Sequence, residues 1–320
     1  MPEFTYEIKN DKKDGHEYAE ITGCVGETRD LCVPSEIDGC RVEALGNHSF
    51  SGRQDIYTVS IPESVRILYG FAFHNCRNLR KISLFDTIDD YYDGVCRQCD
   101  SLSEVEITLK RGWYEVVRNF LADNDKTLRF MLHTESEGSA CLTFPEYVYD
   151  FADNTMARTI QFSIAGSGYA YRECVDRRSI NYREYDRLFD RAVIDGNAIP
   201  EDIALGRLFY PLELEDTYKE KYEQYVKKNS GSILKRFITE GADGEDKLEE
   251  STLVIKKLLK YRNVSGDRIV EESALDAATR LATEKRLTTL CAEMVEAGRN
   301  AGAETNPGDG VGGSFPQFKF

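Results

Sequence analysis

Residues 56–107 read IYTVSIPESVRILYGFAFHNCRNLRKISLFDTIDDYYDGVCRQCDSLSEVEI, and they repeat with a step of 23. Ile56, Leu79 and Leu102 keep that step. So do Val59, Ile82 and Val105, and so do Ile61, Leu84 and Ile107. Phe50, Phe73 and Cys96 form a further column, and Cys76 and Cys99 another. A period of roughly 20–50 residues held by several columns marks a solenoid, in which each unit buries its apolar side only against its neighbours.

The segments IYTVSI, LRKISL and LSEVEI alternate apolar and polar residues. That period of 2 predicts one short, half-buried strand per coil, stacked in parallel ~4.8 Å apart. The residues between the buried ones must then point outward. They are Thr58, Ser60, Lys81, Ser83, Glu104 and Glu106, two polar columns expected on the inner curve, a surface such arrays use for ligands. Three coils span only ~10 Å, narrow for an interface that usually buries ~800 Å² per partner. The predicted site is therefore composite and draws on the stretch 168–189, GYAYRECVDRRSINYREYDRLF, through Tyr171, Arg172, Arg183 and Tyr185. Tyr and Arg dominate binding hot spots. The plainer reading of this stretch is a junction whose arginines pair with Glu173, Asp176, Glu184 and Asp186.

Working outward, LCVPSEIDGCRVEALGNHSF (31–50) is an earlier, longer copy with its strand at Leu31–Val33. Before it, FTYEIKNDKKDGHEYAEITGC reads as two strands around a polar turn, an end cap. After the repeat, TLRFMLH and SACLTF are strand candidates that close the sheet.

The stretches CVPSEIDGCRVEALGNHSFSG and SIPESVRILYGFAFHNCRNLRKISL resemble the BspA-like leucine-rich repeat over about residues 20–107. In that family a strand leads into Ile-Pro-x-Ser-Val, then Ala-Phe, then Gly-Cys before the next Leu. Ile61, Pro62, Ser64, Val65, Ala72, Phe73 and Cys76 fill those places, with Asn75 at the glycine. The third copy loses the Pro and Ser and puts Cys96 where Phe belongs, so that coil should be looser or shaped by its neighbour.

From Pro145 the pattern turns helical. PEYVYDFADNTMARTIQF opens with Pro and Glu, a helix start signal. NYREYDRLFDRAV, IPEDIALGRLFYP, LEDTYKEKYEQYVKK, SGSILKRFITEG, DKLEESTLVIKKLLKY, DRIVEESALDAATRLATEK and RLTTLCAEMVEAG are the helix candidates after it. The last pair resembles an ankyrin-type helix pair, with Leu287, Leu290, Met294 and Val295 as its packing stripe, although the Thr-Pro-Leu-His signature is absent. As a whole, the chain resembles bacterial proteins with BspA-like repeats ahead of an ankyrin-like region, a resemblance that implies no enzymatic activity. The expected fold is α+β: a leucine-rich-repeat β-solenoid with end caps over 1–144, an all-α helix-pair array over 145–298, and a Gly-rich, mostly disordered tail over 299–320.

Composition narrows the function. Lys and Arg number 41 against 56 Asp and Glu, a net charge of -15 over 320 residues. Both halves are acidic, so a phosphate backbone is repelled and nucleic acid is not the expected partner. No apolar run approaches the ~18 residues of a membrane span. Nine scattered Cys, an odd number, favour reduced thiols and a cytoplasmic location over a disulfide framework. No P-loop, His-Glu-x-x-His or Gly-x-Ser-x-Gly motif occurs, and only four His are present. Cys96-Arg-Gln-Cys99 has the spacing of half a zinc site, but no second half exists, and Cys99 already repeats Cys76 in the interior column. Gly166-Ser167-Gly168 reads as a tight turn. The expectation is a non-catalytic scaffold for an unknown protein partner, with no cofactor and no metal. The alternative is a surface-displayed adhesion protein.

Overall fold

The computed structural model describes residues 2–135, 138–154, 159–196 and 198–301. Contacts divide the chain into two compact units, Met1–Tyr222 and Glu223 onward.

The first unit opens with a hairpin, β1 (Glu3–Asn10) against β2 (Glu17–Val25). The longer first coil comes next: β3 (Asp30–Cys32), β4 (Glu36–Ile37) and β5 (Cys40–Leu45). Its extra residues form the β4–β5 hairpin, whose Asp38 and Gly39 both have positive φ, 50° and 79°, as a two-residue primed turn requires. Each later coil contributes two strands: β6 (Thr58–Ser60) with β7 (Ile67–Leu68), then β8 (Lys81–Phe85) with β9 (Asp90–Tyr91). The next coil pairs β10 (Glu104–Leu109) with a helix, α1 (Glu115–Asp123), and β11 (Leu128–Thr134) and β12 (Ser139–Phe144) end the stack.

Two sheets result. One runs β12-β11-β10-β8-β6-β3, parallel except for the edge strand β12. The other runs β1-β2-β5-β7-β9. Val59, Ile82, Val105 and Phe130 stand in register and are buried, as are Ile61, Leu84, Ile107 and Leu132. The Ile61–Leu84 match continues the β6–β8 ladder through the bond from Ile61 N to Ser83 O. The stacked Phe50 and Phe73 rings, 5.3 Å apart, fill the interior behind the sheet.

Two further columns set the shape of each coil. His48, Phe71 and Gly94 have φ of 57°, 59° and 71°, and Gly52, Asn75 and Gln98 have 77°, 58° and 62°. Both columns keep the 23-residue step, so each of these three coils turns twice through the left-handed region. There Gly is unstrained and Asn is tolerated best among the rest. That requirement is the physical content of the family's Gly-Cys position, filled here by Asn75.

The irregular third coil takes its shape from its successor. Asp86, fully buried, accepts from the backbone amides of Lys110, Arg111 and Trp113 at 2.7, 2.8 and 3.0 Å. Asp123 at the end of α1 accepts from Gly94 N, Cys96 N and the Tyr91 hydroxyl. Side-chain carboxylates thus tie this coil to the neighbouring one.

After β12 the structure departs from the sequence reading. PEYVYDFADNTMARTIQF is not a helix but an antiparallel pair, β13 (Val148–Asn154) and β14 (Thr159–Ala165), with Tyr149 opposite Ile164. The period-2 alternation of Ile160, Phe162 and Ile164 with Gln161 and Ser163 outweighs the local Pro-Glu start signal. Helices α2 (Gly168–Arg172), α3 (Tyr182–Arg187), α4 (Phe189–Asp195) and α5 (Ile199–Phe209) come next, the stretch NYREYDRLFDRAV breaking at Leu188. Gly166, with φ +90°, makes the turn read at Gly166-Ser167-Gly168. All four helices belong to the same compact unit as the repeat. A fully buried ion pair fastens them: Arg207 binds Asp186 through two hydrogen bonds of 2.8 and 3.0 Å, and the Tyr222 hydroxyl donates to Asp186 at 2.7 Å.

The unit boundary falls inside α6 (Asp216–Lys228). The second unit continues with α7 (Ser230–Gly241), α8 (Glu245–Lys260), α9 (Glu272–Glu284) and α10 (Thr288–Ala301), α7 packing on α8 and α9, and α10 on α8 and α9. Leu290 and Met294, four apart on one face of α10, are buried. Val295 is 41% exposed, because it lies one step round the helix from Met294, so the expected packing stripe excludes it. The tail read as disordered lies, beyond Ala301, outside the described residues.

Candidate functional site

The outward face of the six-stranded sheet is where the sequence placed six of the ten site residues. The register sets Thr58 beside Lys81 and Glu104, and Ser60 beside Ser83 and Glu106. The columns run further than three coils. Asp30 precedes Thr58 and Arg129 comes after Glu104; Cys32 precedes Ser60 and Met131 comes after Glu106. Five strands therefore share the face, spanning about 19 Å between the outer two.

Its charges satisfy one another. Lys81 Nζ lies 2.8 Å from Glu104 and 2.7 Å from Glu106. Arg129 donates to Glu104, and His133 Nε2 lies 3.0 Å from Glu106. Thr58 donates to Asp30 at 2.7 Å. His133 and Lys81 together lower the Glu106 carboxyl to about 2. Sequence reading found the columns but not these bonds, and it did not carry the columns onto β11. That strand comes two residues late against the 23-residue step, so Arg129 stands beside Glu104 rather than Glu106, and His133 stands beside Thr108, outside both columns. The face ends at β12, where Cys141 and Thr143, partners of Met131 and Arg129, are buried. Helix α5 packs there. A Cβ on Gly206 would sit 2.9 Å from the Cys141 carbonyl, so only glycine allows this approach.

The four junction residues do not join the face as an exposed patch. Tyr171 and Tyr185 are fully buried. The Tyr185 hydroxyl donates to Thr143 O at 2.7 Å and accepts from Thr143 N at 2.9 Å, completing the edge of β12 as a further strand would. Arg172 donates to four carbonyls, those of Pro145, Gly168, Asn124 and Lys126. Arg183 is exposed, 3.6 Å from Glu215. The composite site is corrected accordingly: three of its four junction residues hold the fold, because aromatic rings and a guanidinium are also what closes an otherwise unpaired sheet edge. Nor do the arginines pair as the plain reading had it throughout. Arg177 binds Glu115, and Asp186 is taken by Arg207, although Arg187 does reach Glu184.

The thiols of Cys76 and Cys99 donate to the carbonyls of Phe50 and Phe73, each at 3.1 Å, one coil apart. Burial pushes the Cys76 thiol up to about 12, and it raises Cys96 well above the ordinary range. Among the described residues one trio, Asp11, Asp14 and His16, brings three possible metal-ligand atoms within 4.8 Å. Both ring nitrogens of His16 are already engaged, with Asp14 at 2.6 Å and Glu43 at 3.1 Å.

Two short strands per coil, interior Phe and Cys columns and two left-handed turns per step are the features a family comparison has to match. A model of the BspA type leucine rich repeat region matches residues 36–118 in six copies. This segment is similar to the BspA-type leucine-rich repeat. No curated protein matches the chain. Similar solved structures include a leucine rich cell surface protein of Faecalibacterium prausnitzii, 20% identical over 34% of this chain and 33% of that one, TM-score 0.28. The leucine rich repeat protein of T. pallidum is 19% identical over 32% and 68% of the two chains, TM-score 0.23. A leucine-rich repeat protein from Bacteroides ovatus is 16% identical over 35% and 47%, TM-score 0.22. The chain thus spans a third of the length of the first of these. Leucine-rich repeat proteins generally serve as protein-interaction or adhesion scaffolds and are typically non-enzymatic.

Proposed function

We propose that the chain is a non-catalytic scaffold that binds a partner protein through the outward face of strands β3, β6, β8, β10 and β11. The carrying observation is the ladder of paired charges from Lys81 through Glu104 and Glu106 to Arg129 and His133. A face whose long side chains are already fixed by each other loses less conformational freedom on binding than a set of loose ones. Unpaired hydroxyls and apolar groups between the charges, Ser60, Thr108 and Met131, leave room for contacts. In this reading the site comprises Thr58, Ser60, Lys81, Ser83, Glu104 and Glu106, extended by Arg129 and His133. The protein works in the cytoplasm with its nine thiols reduced, and the helices from Glu223 onward form an ankyrin-like array with a separate role.

The test is affinity capture on the immobilised full chain, comparing the native form with Ser60→Arg/Thr108→Arg. Ser60 is exposed and Thr108 half-buried on the outward side of the same sheet, so bulky cations there obstruct the face without touching the core. A partner retained by the native chain and lost by the variant supports the reading. Equal retention moves the site elsewhere. Recovery of the native protein on the cell surface would replace the cytoplasmic assignment with the adhesion role.

A further inference from the structure

Just before strands β3, β6 and β8, three residues stand side by side: Arg29, Tyr57 and Arg80. Backbone bonds fix their order, since Tyr57 N donates to Arg29 O and Arg80 N donates to Tyr57 O, both at 2.8 Å. The two guanidinium carbons lie 4.9 and 5.4 Å from the centre of the Tyr57 ring. Tyr57 is thus flanked by a cation from each neighbouring coil. Both arginines are exposed and the ring is half-buried.

Arg80 differs from other arginines of the repeat. Arg53, Arg66, Arg97, Arg111 and Arg129 each hold a carboxylate. Arg80 holds none. Its contact is the face of an aromatic ring, which orients a guanidinium while leaving its N–H groups pointing to solvent. In a chain of net charge -15, an exposed guanidinium that no described carboxylate holds is a place where an incoming carboxylate meets little competition. The row continues to Ser103, whose amide donates to Arg80 O, and borders the outward column Asp30, Thr58, Lys81 and Glu104.

We propose that Arg80, held on the Tyr57 ring that Arg29 also flanks, forms a carboxylate-binding anchor at the rim of the interaction face, taking an Asp or Glu side chain from an exposed segment of the partner protein. Tyr57 acts as the platform that positions both guanidiniums. Arg80 makes the main contact as a two-pronged donor, and the rest of the segment lies along Thr58, Ser60 and Ser83. The inference rests on the scaffold reading above and narrows its partner to a protein with an acidic segment.

The experiment pans a random 12-residue peptide library on the immobilised full chain, then measures the best peptide by fluorescence anisotropy against variants. The expected peptides carry Asp or Glu, and their affinity falls at least about five-fold in Arg80→Ala, the loss that separates a contributing interface residue from a neutral one. Tyr57→Phe should keep the affinity and Tyr57→Leu should lose it, because the ring and not the hydroxyl is the platform. Replacing the peptide's acidic residue by Gln or Asn should cost as much as Arg80→Ala. Inorganic phosphate serves as the competing probe. If it displaces the peptide at submillimolar concentration, the site is a phosphate site and the proposal is overturned. Peptides sensitive to Ser60→Arg/Thr108→Arg but indifferent to Arg80→Ala would leave the scaffold reading intact and remove the anchor. Peptides indifferent to both would remove both.

Discussion

Lys81 on β8 lies 2.8 Å from Glu104 on β10, one repeat further along the chain, and the same ammonium reaches Glu106 at 2.7 Å. One cation therefore joins two outward columns. A charge exchange at Lys81 and Glu104 would not be neutral, because it sets a glutamate against Glu106 and a lysine against Arg129. Obstruction at Ser60 and Thr108 is the cleaner probe of the face.

The same pairing predicts a pH dependence. Glu106 titrates at about 2 in the folded chain, against about 4.3 unfolded. A depressed carboxyl contributes stability that is fully present above the unfolded value and is lost as pH falls toward the folded one. Urea midpoints of the native chain and Glu106→Gln should differ at neutral pH and converge by about pH 2, with most of the loss below about 4.3. A constant difference across that window would refute the assignment.

The left-handed columns predict a stabilising substitution. Gln98 has φ of 62°, where its counterparts in the column are Gly52 and Asn75. Relief of about 1–2 kcal/mol of steric cost exceeds the roughly 0.4–1 kcal/mol that glycine loses in the unfolded chain. Gln98→Gly should therefore raise the melting temperature, while Gly52→Ala should lower it. A lower melting temperature for Gln98→Gly would mean that the left-handed turn is not what limits this position.

In the core, Ile82 stands between Val59 and Val105 and is fully buried. Ile82→Val should cost ~0.5–1.5 kcal/mol and Ile82→Ala ~2–5 kcal/mol, read from denaturant midpoints. Losses near zero would place this side chain at the surface.

Arg207→Met should be far more harmful than its exposed counterparts. It strands the buried Asp186 carboxylate beside an apolar group, at ~3–5 kcal/mol. Adding Asp186→Leu in the same chain should recover part of that loss. If the double variant is as unstable as the sum of the singles, the two residues do not act as a pair.

The repeat was legible because a solenoid writes its geometry into the sequence once per coil. The Val59, Ile82 and Val105 column alone locates three strands and their register. What stayed hidden was carried by residues used once. Asp86 and Asp123 hold the irregular coil through side-chain bonds to amides 24 to 29 residues away, and no period announces them. Helix α1 replaces a strand in the fourth coil and β11 comes two residues late, which moves Arg129 from the step of Glu106 to the side of Glu104, while His133 stands beside Thr108, outside the counted columns. The Tyr/Arg stretch looked like a hot spot because the chemistry that buries well at an interface also buries well against a sheet edge. Only the bonds between Tyr185 and Thr143 distinguish the two.

Whether the outward face of the sheet is the binding surface can be decided by titration calorimetry. The captured partner, or a library-selected peptide, is titrated into the native chain and into Ser60→Arg/Thr108→Arg. A binding face at these strands predicts an affinity loss of at least about ten-fold, roughly 1.4 kcal/mol, with an unchanged melting temperature. Equal affinity in a variant that melts like the native chain would contradict it.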